Sequence, residues 1–164
     1  MKIKQINKQV IDWYDAQRKG RGRFAGFTVK DKVFVTDGYL IYVLKDEDCY
    51  FDVKKAKEVN LVDILENLGT DELINSNKIL NDDTRLKGGN RLINLYVYQD
   101  DKNTTVGIDS KFLKHFENYT LKSIKGKNDM PVGIFEEDEL VGIVFPVRLV
   151  DKDDWFTFLW YWSF

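Results

Sequence analysis

The feature that most constrains the fold is a series of short strand-like segments separated by turns. Residues 39–44 are aromatic or branched, and Asp37-Gly38 precedes them as a hairpin signal. Similar segments are predicted at 23–29, 33–36, 49–53, 91–99, 104–108, 119–124, 132–135 and 140–147. Segments joined by tight turns pair in antiparallel order, because a parallel pair needs a crossover of a dozen or more residues. The sequence therefore predicts mainly antiparallel sheet.

Three helical segments accompany these strands. Residues 3–19 place Ile3, Ile6, Val10 and Trp13 on one face at helical spacing, and the pattern stops at Gly20. A second helix ending at Gly69 is predicted from the apolar positions Val59, Val62, Leu65 and Leu68. A short third helix, capped by Asp109 or Ser110, has Phe112, Leu113 and Phe116 inward and Lys111, Lys114 and His115 outward.

The order of these elements predicts an α+β fold with an internal pseudo-repeat. Two units, each with a helix followed by antiparallel strands, are expected to place their helices on one face of the sheets. A helical segment at about 54–84 is inserted between them. We expect one domain over residues 1–149, followed by an aromatic C-terminal strand or tail over 150–164.

The charges are segregated along the chain, although the formal net charge is only −2. Residues 1–32 hold nine basic and three acidic residues, and residues 109–127 are also basic. Residues 44–83 hold eleven acidic residues and five lysines, and residues 135–155 are acidic as well. Such blocks are typical either of ordinary solvated surface or of one basic face for a polyanion and one acidic face turned away from it.

The sequence offers no catalytic or metal-binding pattern. A single cysteine, Cys49, and a single histidine, His115, exclude a multi-cysteine zinc site and histidine-rich metal chemistry. The carboxylate pairs lie in predicted turns, where solvated charge is the ordinary explanation. No apolar run is long enough to span a bilayer. We therefore expect a non-enzymatic cytoplasmic protein without cofactor, metal or membrane contact.

Three segments resemble a known family. The segment TDGYLIYVL (Thr36–Leu44) resembles the Thr-Asp-Gly strand turn of bacterial DNA polymerase sliding clamps. The segments GIDSKFLKHFENY (Gly107–Tyr119) and PVGIFEEDELVGIVFPVRL (Pro131–Leu149) look like the closing half of a clamp's last domain. The order of elements agrees over residues 2–149 apart from the insertion, and the chain corresponds to a single clamp-like domain.

The resemblance implies a non-catalytic protein whose helices face duplex DNA and contact its phosphates without reading sequence. A closed ring would require several copies of the chain, so a homo-oligomer and replication proteins are the implied partners. The residues expected to face DNA are Lys4, Lys8, Arg18, Lys19, Arg21, Arg23, Lys111 and Lys114. Pro146, Val147, Arg148 and Leu149 match the part of a clamp that helps to form a peptide pocket.

The chain continues past this match into a strongly aromatic end. At a period of two, one face of the last ten residues carries Phe156, Phe158, Trp160, Trp162 and Phe164. This face is predicted either to close the protein's own core or to pair with a neighbouring subunit's sheet edge.

Two other functions stay open at this point. A clamp-fold adaptor or inhibitor would act through protein contacts without binding DNA, and salt-dependent binding of duplex DNA separates it from a clamp. A small hydrolase or nuclease would use the turn carboxylates and would show metal-dependent turnover of nucleic acid.

Overall fold

A computed structural model describes residues 1–29, 32–52, 65, 68, 71–82, 93–99, 105–123 and 130–146. The first element is a helix, α1 (Ile3–Arg18), at the place expected from the apolar periodicity. Its inward residues Ile6 and Val10 are completely buried, and Trp13 and Tyr14 pack against the same core. Burial of this apolar face stabilises a helix of this length, because an isolated helix of this size is marginal in water.

Within the described ranges, nine strands form one antiparallel hydrogen-bonded series in the order β1-β2-β3-β9-β8-β7-β4-β5-β6. The strands are β1 (Ala25–Val29), β2 (Lys32–Thr36), β3 (Leu40–Lys45), β4 (Asp71–Asp82), β5 (Ile93–Gln99), β6 (Thr105–Asp109), β7 (Tyr119–Ser123), β8 (Val132–Glu136) and β9 (Glu139–Val144). Eight of them confirm predicted strands, with boundaries that differ by a few residues. The predicted α+β class with an antiparallel sheet is therefore confirmed.

The centre of the series joins two three-stranded meanders. Strands β1-β2-β3 and β7-β8-β9 each run through consecutive hairpins, and the two sets meet where β3 pairs with β9. In that pair Leu40 lies opposite Val144 and Tyr42 lies opposite Gly142. The predicted two-unit organisation is thus present in the strands. α1 precedes the first meander, whereas in the described residues a 3-10 turn at Ser110–Phe112 and a further turn precede the second.

Strand β3 is buried on both faces, as its unbroken apolar run requires. Leu40, Tyr42 and Leu44 belong to the main core, together with Ile6 and Val10 of α1. Ile41 and Val43 belong to a second cluster on the opposite face, which also contains Phe34 and Ile143. Leu65 and Leu68, from the inserted segment, pack on this second cluster. The sheet is therefore covered on both faces, by α1 on one side and by part of the inserted segment on the other.

Part of the predicted helical insertion is a strand. Residues 71–82 form β4, which pairs with β7 through Asp71–Leu73 and with β5 along the rest of its length. No clear period of two marks this segment in the sequence, so pairing on both sides decides its conformation. The predicted helix over 59–68 lies outside the described residues except for Leu65 and Leu68.

The predicted strand at 49–53 is absent over residues 49–52, and Val53 lies outside the described part of the chain. A 3-10 turn at Asp46–Asp48 comes first, and α1 holds the segment that follows it. The buried Asn7 amide donates to the Asp48 carbonyl at 2.8 Å and accepts from the Tyr50 N–H at 2.8 Å. The Asn7 side chain thus provides the hydrogen-bond partners for the backbone of Asp48 and Tyr50 that a neighbouring strand would otherwise provide.

The predicted third helix is a 3-10 turn at Ser110–Phe112 followed by a second turn. The Asp109 carboxylate accepts from the Lys111 N–H at 3.0 Å, which confirms the expected cap. Phe112, Leu113 and Phe116 are buried as predicted. His115, predicted to face outward, is also buried. Its ring turns inward because Nδ1 lies 2.7 Å from the Tyr42 hydroxyl, a partner on β3 that is distant in sequence.

Candidate nucleic-acid interface

The outward face of α1 carries basic residues near its ends and acidic residues in its middle. Lys4 and Lys8 are exposed in the first half, and Asp12 and Asp15 are exposed between them and Arg18. A helix of this length is about 24 Å long, which matches roughly seven base-pair steps of a duplex. The basic groups of α1 therefore have the reach to meet phosphates at two separate places.

A loop with an ordered backbone follows α1 and holds the densest basic cluster of the described residues. The helix ends in a Schellman motif, in which Gly20 has a φ of +67° and its N–H donates to the Gln17 carbonyl at 2.9 Å. The Arg21 N–H donates to the Ala16 carbonyl at 2.9 Å. The Gln17 amide then donates to the Phe24 carbonyl at 2.7 Å, which ties the far end of the loop to the helix.

Four exposed cations project from the last residue of α1 and from this loop: Arg18, Lys19, Arg21 and Arg23. The negative end of the helix dipole, at the C-terminus of α1, favours positive charge at this position. Two of the side chains are also held by neighbours. The Arg18 guanidinium lies 5.9 Å from the centre of the Tyr14 ring. The Arg23 side chain lies across Gly38, so that a Cβ there would be 3.6 Å from Arg23 Cδ.

The two lysines of the 110–116 segment have different environments. Lys111 is half-buried, with its ammonium 2.7 Å from the Asp109 carboxylate and 4.3 Å from the centre of the Phe112 ring. Asp109 therefore compensates its charge, and Lys111 is the predicted DNA-facing residue least suited to that role. Lys114 is exposed.

The start of α1 contacts this second segment. The Lys2 N–H donates to the His115 carbonyl at 2.9 Å, and the Lys2 ammonium donates to the Lys114 carbonyl at 3.3 Å. Lys2 was not among the predicted site residues, although it belongs to the basic N-terminal block. Only the tertiary contact brings it beside Lys114.

The basic surface is our name for the cations along α1, at both of its ends and on the loop that follows. Its members are Lys2, Lys4, Lys8, Arg18, Lys19, Arg21, Arg23 and Lys114. α1 and the 110–116 segment both pack on the main core, so they share one face of the sheet. The structure thus brings together the two predicted basic segments, but only the first is an α-helix.

A buried polar pair lies beneath this surface. The ring nitrogen Nδ1 of His115 is 2.7 Å from the Tyr42 hydroxyl, and the Tyr42 ring stacks on Trp13 at 5.3 Å. Burial lowers the pKa of His115, and the positive charges of Lys114 and Lys2 lower it further. Burial also raises the pKa of Tyr42, with a smaller effect from Asp37, so the phenol stays protonated at neutral pH.

An apolar groove flanks α1 on another side. It has a volume of about 190 Å³ and is lined by Val10, Ile11, Tyr14, Phe24, Phe51 and Asp52. Ile11 is 43% exposed, which is unusual for a helical isoleucine beside a core.

Two further predicted sites fall almost entirely outside the described residues. Pro146 is described and half-buried, whereas Val147, Arg148 and Leu149 of the proposed peptide pocket lie beyond the described part. The aromatic face formed by Phe156, Phe158, Trp160, Trp162 and Phe164 also lies outside it.

The described residues contain little that resembles a reactive centre. Burial, with the charges of Asp46 and Asp48, raises the pKa of the Cys49 thiol to about 11, so it is protonated at neutral pH. Over the described ranges, no group of three or more His, Cys, Asp or Glu side chains is placed to hold a metal ion. In the same part of the chain, none of the helices has the length and apolar character needed to cross a bilayer.

Comparison with protein-family models, with curated proteins and with solved structures returns no match.

Proposed function

We propose that the protein is a non-catalytic, sliding-clamp-like protein that binds duplex DNA through phosphate contacts of the basic surface. The observation that carries the proposal is the end of α1 with the loop after it, where four exposed cations project from a backbone fixed by a Schellman motif. An ordered array of cations suits phosphates, because the loop gives up little conformational freedom when it binds.

The arrangement of the two basic segments supports the same proposal. α1 and the 110–116 segment lie on one face of the sheet, so Lys2 and Lys114 extend the basic surface at the end opposite the loop. Contacts from flexible lysines and arginines to phosphates carry no sequence information. A protein of this kind holds DNA without selecting a site, and assembly of several copies into a ring would let it slide.

Binding of a fluorescently labelled duplex of random sequence, measured by anisotropy at several salt concentrations, tests the proposal. We expect the K19E/R21E variant to bind more weakly, because both side chains are exposed on the loop. The slope of log K against log salt should become shallower by about 0.9 for each phosphate that the variant no longer neutralises. The matched control K45E/K122E reverses two charges outside the basic surface and should keep the wild-type slope.

A second variant tests the helix side of the surface. Changing Lys4, Lys8, Lys111 and Lys114 together to glutamate should abolish binding if the predicted helix face is the site. Because Asp109 already neutralises Lys111, we expect that residue to contribute least. Unchanged affinity in both multiple variants would refute DNA binding by this surface.

A second candidate function is an adaptor that binds an apolar segment of a replication protein without contacting DNA. The groove beside Ile11, Tyr14 and Phe51 favours it. Failure of the wild-type protein to bind duplex at low salt, together with loss of partner binding in an Ile11→Glu variant, would favour the adaptor over the clamp-like function.

A further inference from the structure

The contact between the start of α1 and residues 114–117 brings several charged groups together. The Lys2 ammonium lies 3.3 Å from the Lys114 carbonyl and 3.7 Å from a carboxylate oxygen of Glu117. The ammonium of Met1 lies 2.7 Å from Glu136 of β8. The second oxygen of Glu136 accepts the Glu117 N–H at 2.9 Å. The ammonium groups of Met1, Lys2 and Lys114, set against the carboxylates of Glu117 and Glu136, give this group of charges at the start of α1 one net positive charge.

The protein's one histidine lies directly under these groups. His115 is only 6% exposed, its carbonyl accepts the Lys2 N–H, and its Nδ1 meets the neutral hydroxyl of Tyr42 on β3. A proton added to this ring would raise the net charge at this end of α1 from one to two. Lys2 and Lys114 oppose that proton, because they are the two cations whose charges act on the ring.

We propose that Lys2 and Lys114 form a phosphate-binding site whose occupancy is coupled to protonation of His115, so that the protein takes up a proton when it binds a polyanion. The inference rests on the proposed function in taking the DNA backbone as the natural ligand. It goes further in naming the site, the ligand group and the titrating residue.

The coupling follows from electrostatics and linkage. A phosphate placed on Lys2 and Lys114 compensates the two charges that disfavour the imidazolium, so the pKa of His115 rises on binding. The reverse must also hold, because a coupling free energy between two sites is reciprocal. Protonation of His115 therefore strengthens phosphate binding. The proton comes from solvent, and in the imidazolium Nδ1–H donates to the Tyr42 oxygen.

Proton NMR of the imidazole tests this directly, because a single histidine gives a single resolved titration. In the free protein we expect the pKa of His115 to lie below its ordinary value of 6.5. Adding a random-sequence duplex should raise it. Each unit of that rise corresponds to about tenfold tighter binding once the pH is below both values.

Two variants separate this coupling from a general effect of pH. In K2Q/K114Q the pKa of His115 in the free protein should already be raised, and DNA should raise it no further. The matched control K45Q/K122Q, which removes two charges elsewhere, should retain both the low value and the rise. DNA affinity should increase between pH 7.5 and 5.5 by a larger factor in wild type than in His115→Asn.

The outcomes distinguish the inference from the proposed function. If DNA binds but the pKa of His115 does not change, the coupling is refuted and DNA binding stands. If no duplex binds, the proposed function is refuted, and tripolyphosphate then replaces DNA as the ligand in the NMR titration of His115. A rise in the His115 pKa with tripolyphosphate in wild type, but not in K2Q/K114Q, would still support the site. No rise with either ligand would overturn it.

Discussion

Replacing Gly142 by alanine should destabilise the protein, because the ring of Phe116 occupies the space that a Cβ would need. Gly142 lies in the middle of β9, opposite Tyr42 of β3 and Ile134 of β8. A Cβ at this position would lie 2.6 Å from Phe116 Cζ and 3.2 Å from the Ile41 carbonyl oxygen. An ordinary contact needs about 3.5 Å, so the ring would have to move by about 1 Å.

Phe116 has little room for that movement. The ring is 5% exposed and lies between the rings of Tyr42, at 5.8 Å, and Tyr119, at 6.5 Å. Overpacking of a filled core costs about 1–3 kcal/mol. The loss of glycine's conformational freedom in the unfolded chain returns about 0.4–1 kcal/mol. We therefore expect Gly142→Ala to lower the free energy of unfolding by about 1–2 kcal/mol.

Gly133 provides the matched control. A Cβ on Gly133 would also lie 2.6 Å from a ring carbon, Cε2 of Phe135. Phe135 is half-buried on the other face of the sheet and can swing towards solvent. Gly133→Ala should therefore change stability by less than about 0.5 kcal/mol. Urea denaturation of both variants, followed by circular dichroism, measures the difference.

A double-mutant cycle identifies the cause. Phe116→Leu removes the ring edge, so the cost of Gly142→Ala should fall by about 1 kcal/mol in that background. The reasoning is refuted if Gly142→Ala costs no more than Gly133→Ala, or if the two substitutions at 116 and 142 are additive. A positive result would also show that Phe116 holds the 110–116 segment against the sheet, which positions the proposed phosphate site.

Three further predictions concern stability. Glu137 and Asp138 form a two-residue hairpin turn with φ values of 49° and 63°. A positive φ strains residues other than glycine, so Asp138→Gly should raise the free energy of unfolding, measured in urea, by up to about 1 kcal/mol. Asp138→Val should lower it. Asn7→Ala should lower the free energy of unfolding by about 2–4 kcal/mol in the same assay, because the Tyr50 N–H and the Asp48 carbonyl lose their hydrogen-bond partner. A smaller loss would contradict the role of Asn7 in holding this segment. Burial lowers the pKa of His115 in the folded protein below its ordinary value of 6.5. The stability that neutral His115 contributes is therefore complete above pH 6.5, and it is lost as the pH falls through the pKa of His115 in the folded protein. The slope in that window, at most about 1.4 kcal/mol per pH unit, should disappear in His115→Asn, and an equal slope in both proteins would contradict the assignment.

Local sequence signals were sufficient to predict an element whose own residues carry a clear hydrophobic or turn pattern. The apolar stripe of α1 and its stop at Gly20 predicted a helix to within one residue of the observed end. The turns at Asp37-Gly38 and Glu137-Asp138 were predictable because turn residues there separate apolar strand segments, and the second is a two-residue hairpin turn. The exposed cations of the first helix and loop were also predictable, since a charged side chain on the polar face of an amphipathic helix remains in water.

Pairing with residues distant in sequence decided the conformation of two segments that local patterns did not predict. Residues 71–82 become a strand because β5 and β7 lie on either side, and residues 49–52 follow Asn7 of α1. Neither partner is close in sequence, and so neither leaves a periodic signal. The ion pair between Lys111 and Asp109, in contrast, joins residues only two apart, and it forms where the chain makes a 3-10 turn in place of the predicted helix.

From the amino-acid order alone came the α+β class, the antiparallel strands and the basic character of the first helix, since each depends on neighbouring residues. Tertiary structure alone decided that His115 is buried beneath Lys2 and Lys114, because three separate segments meet there. A charge in a sequence has only a sign. Its chemical environment, and therefore its coupling to a proton or a phosphate, exists only when the folded chain brings distant residues together.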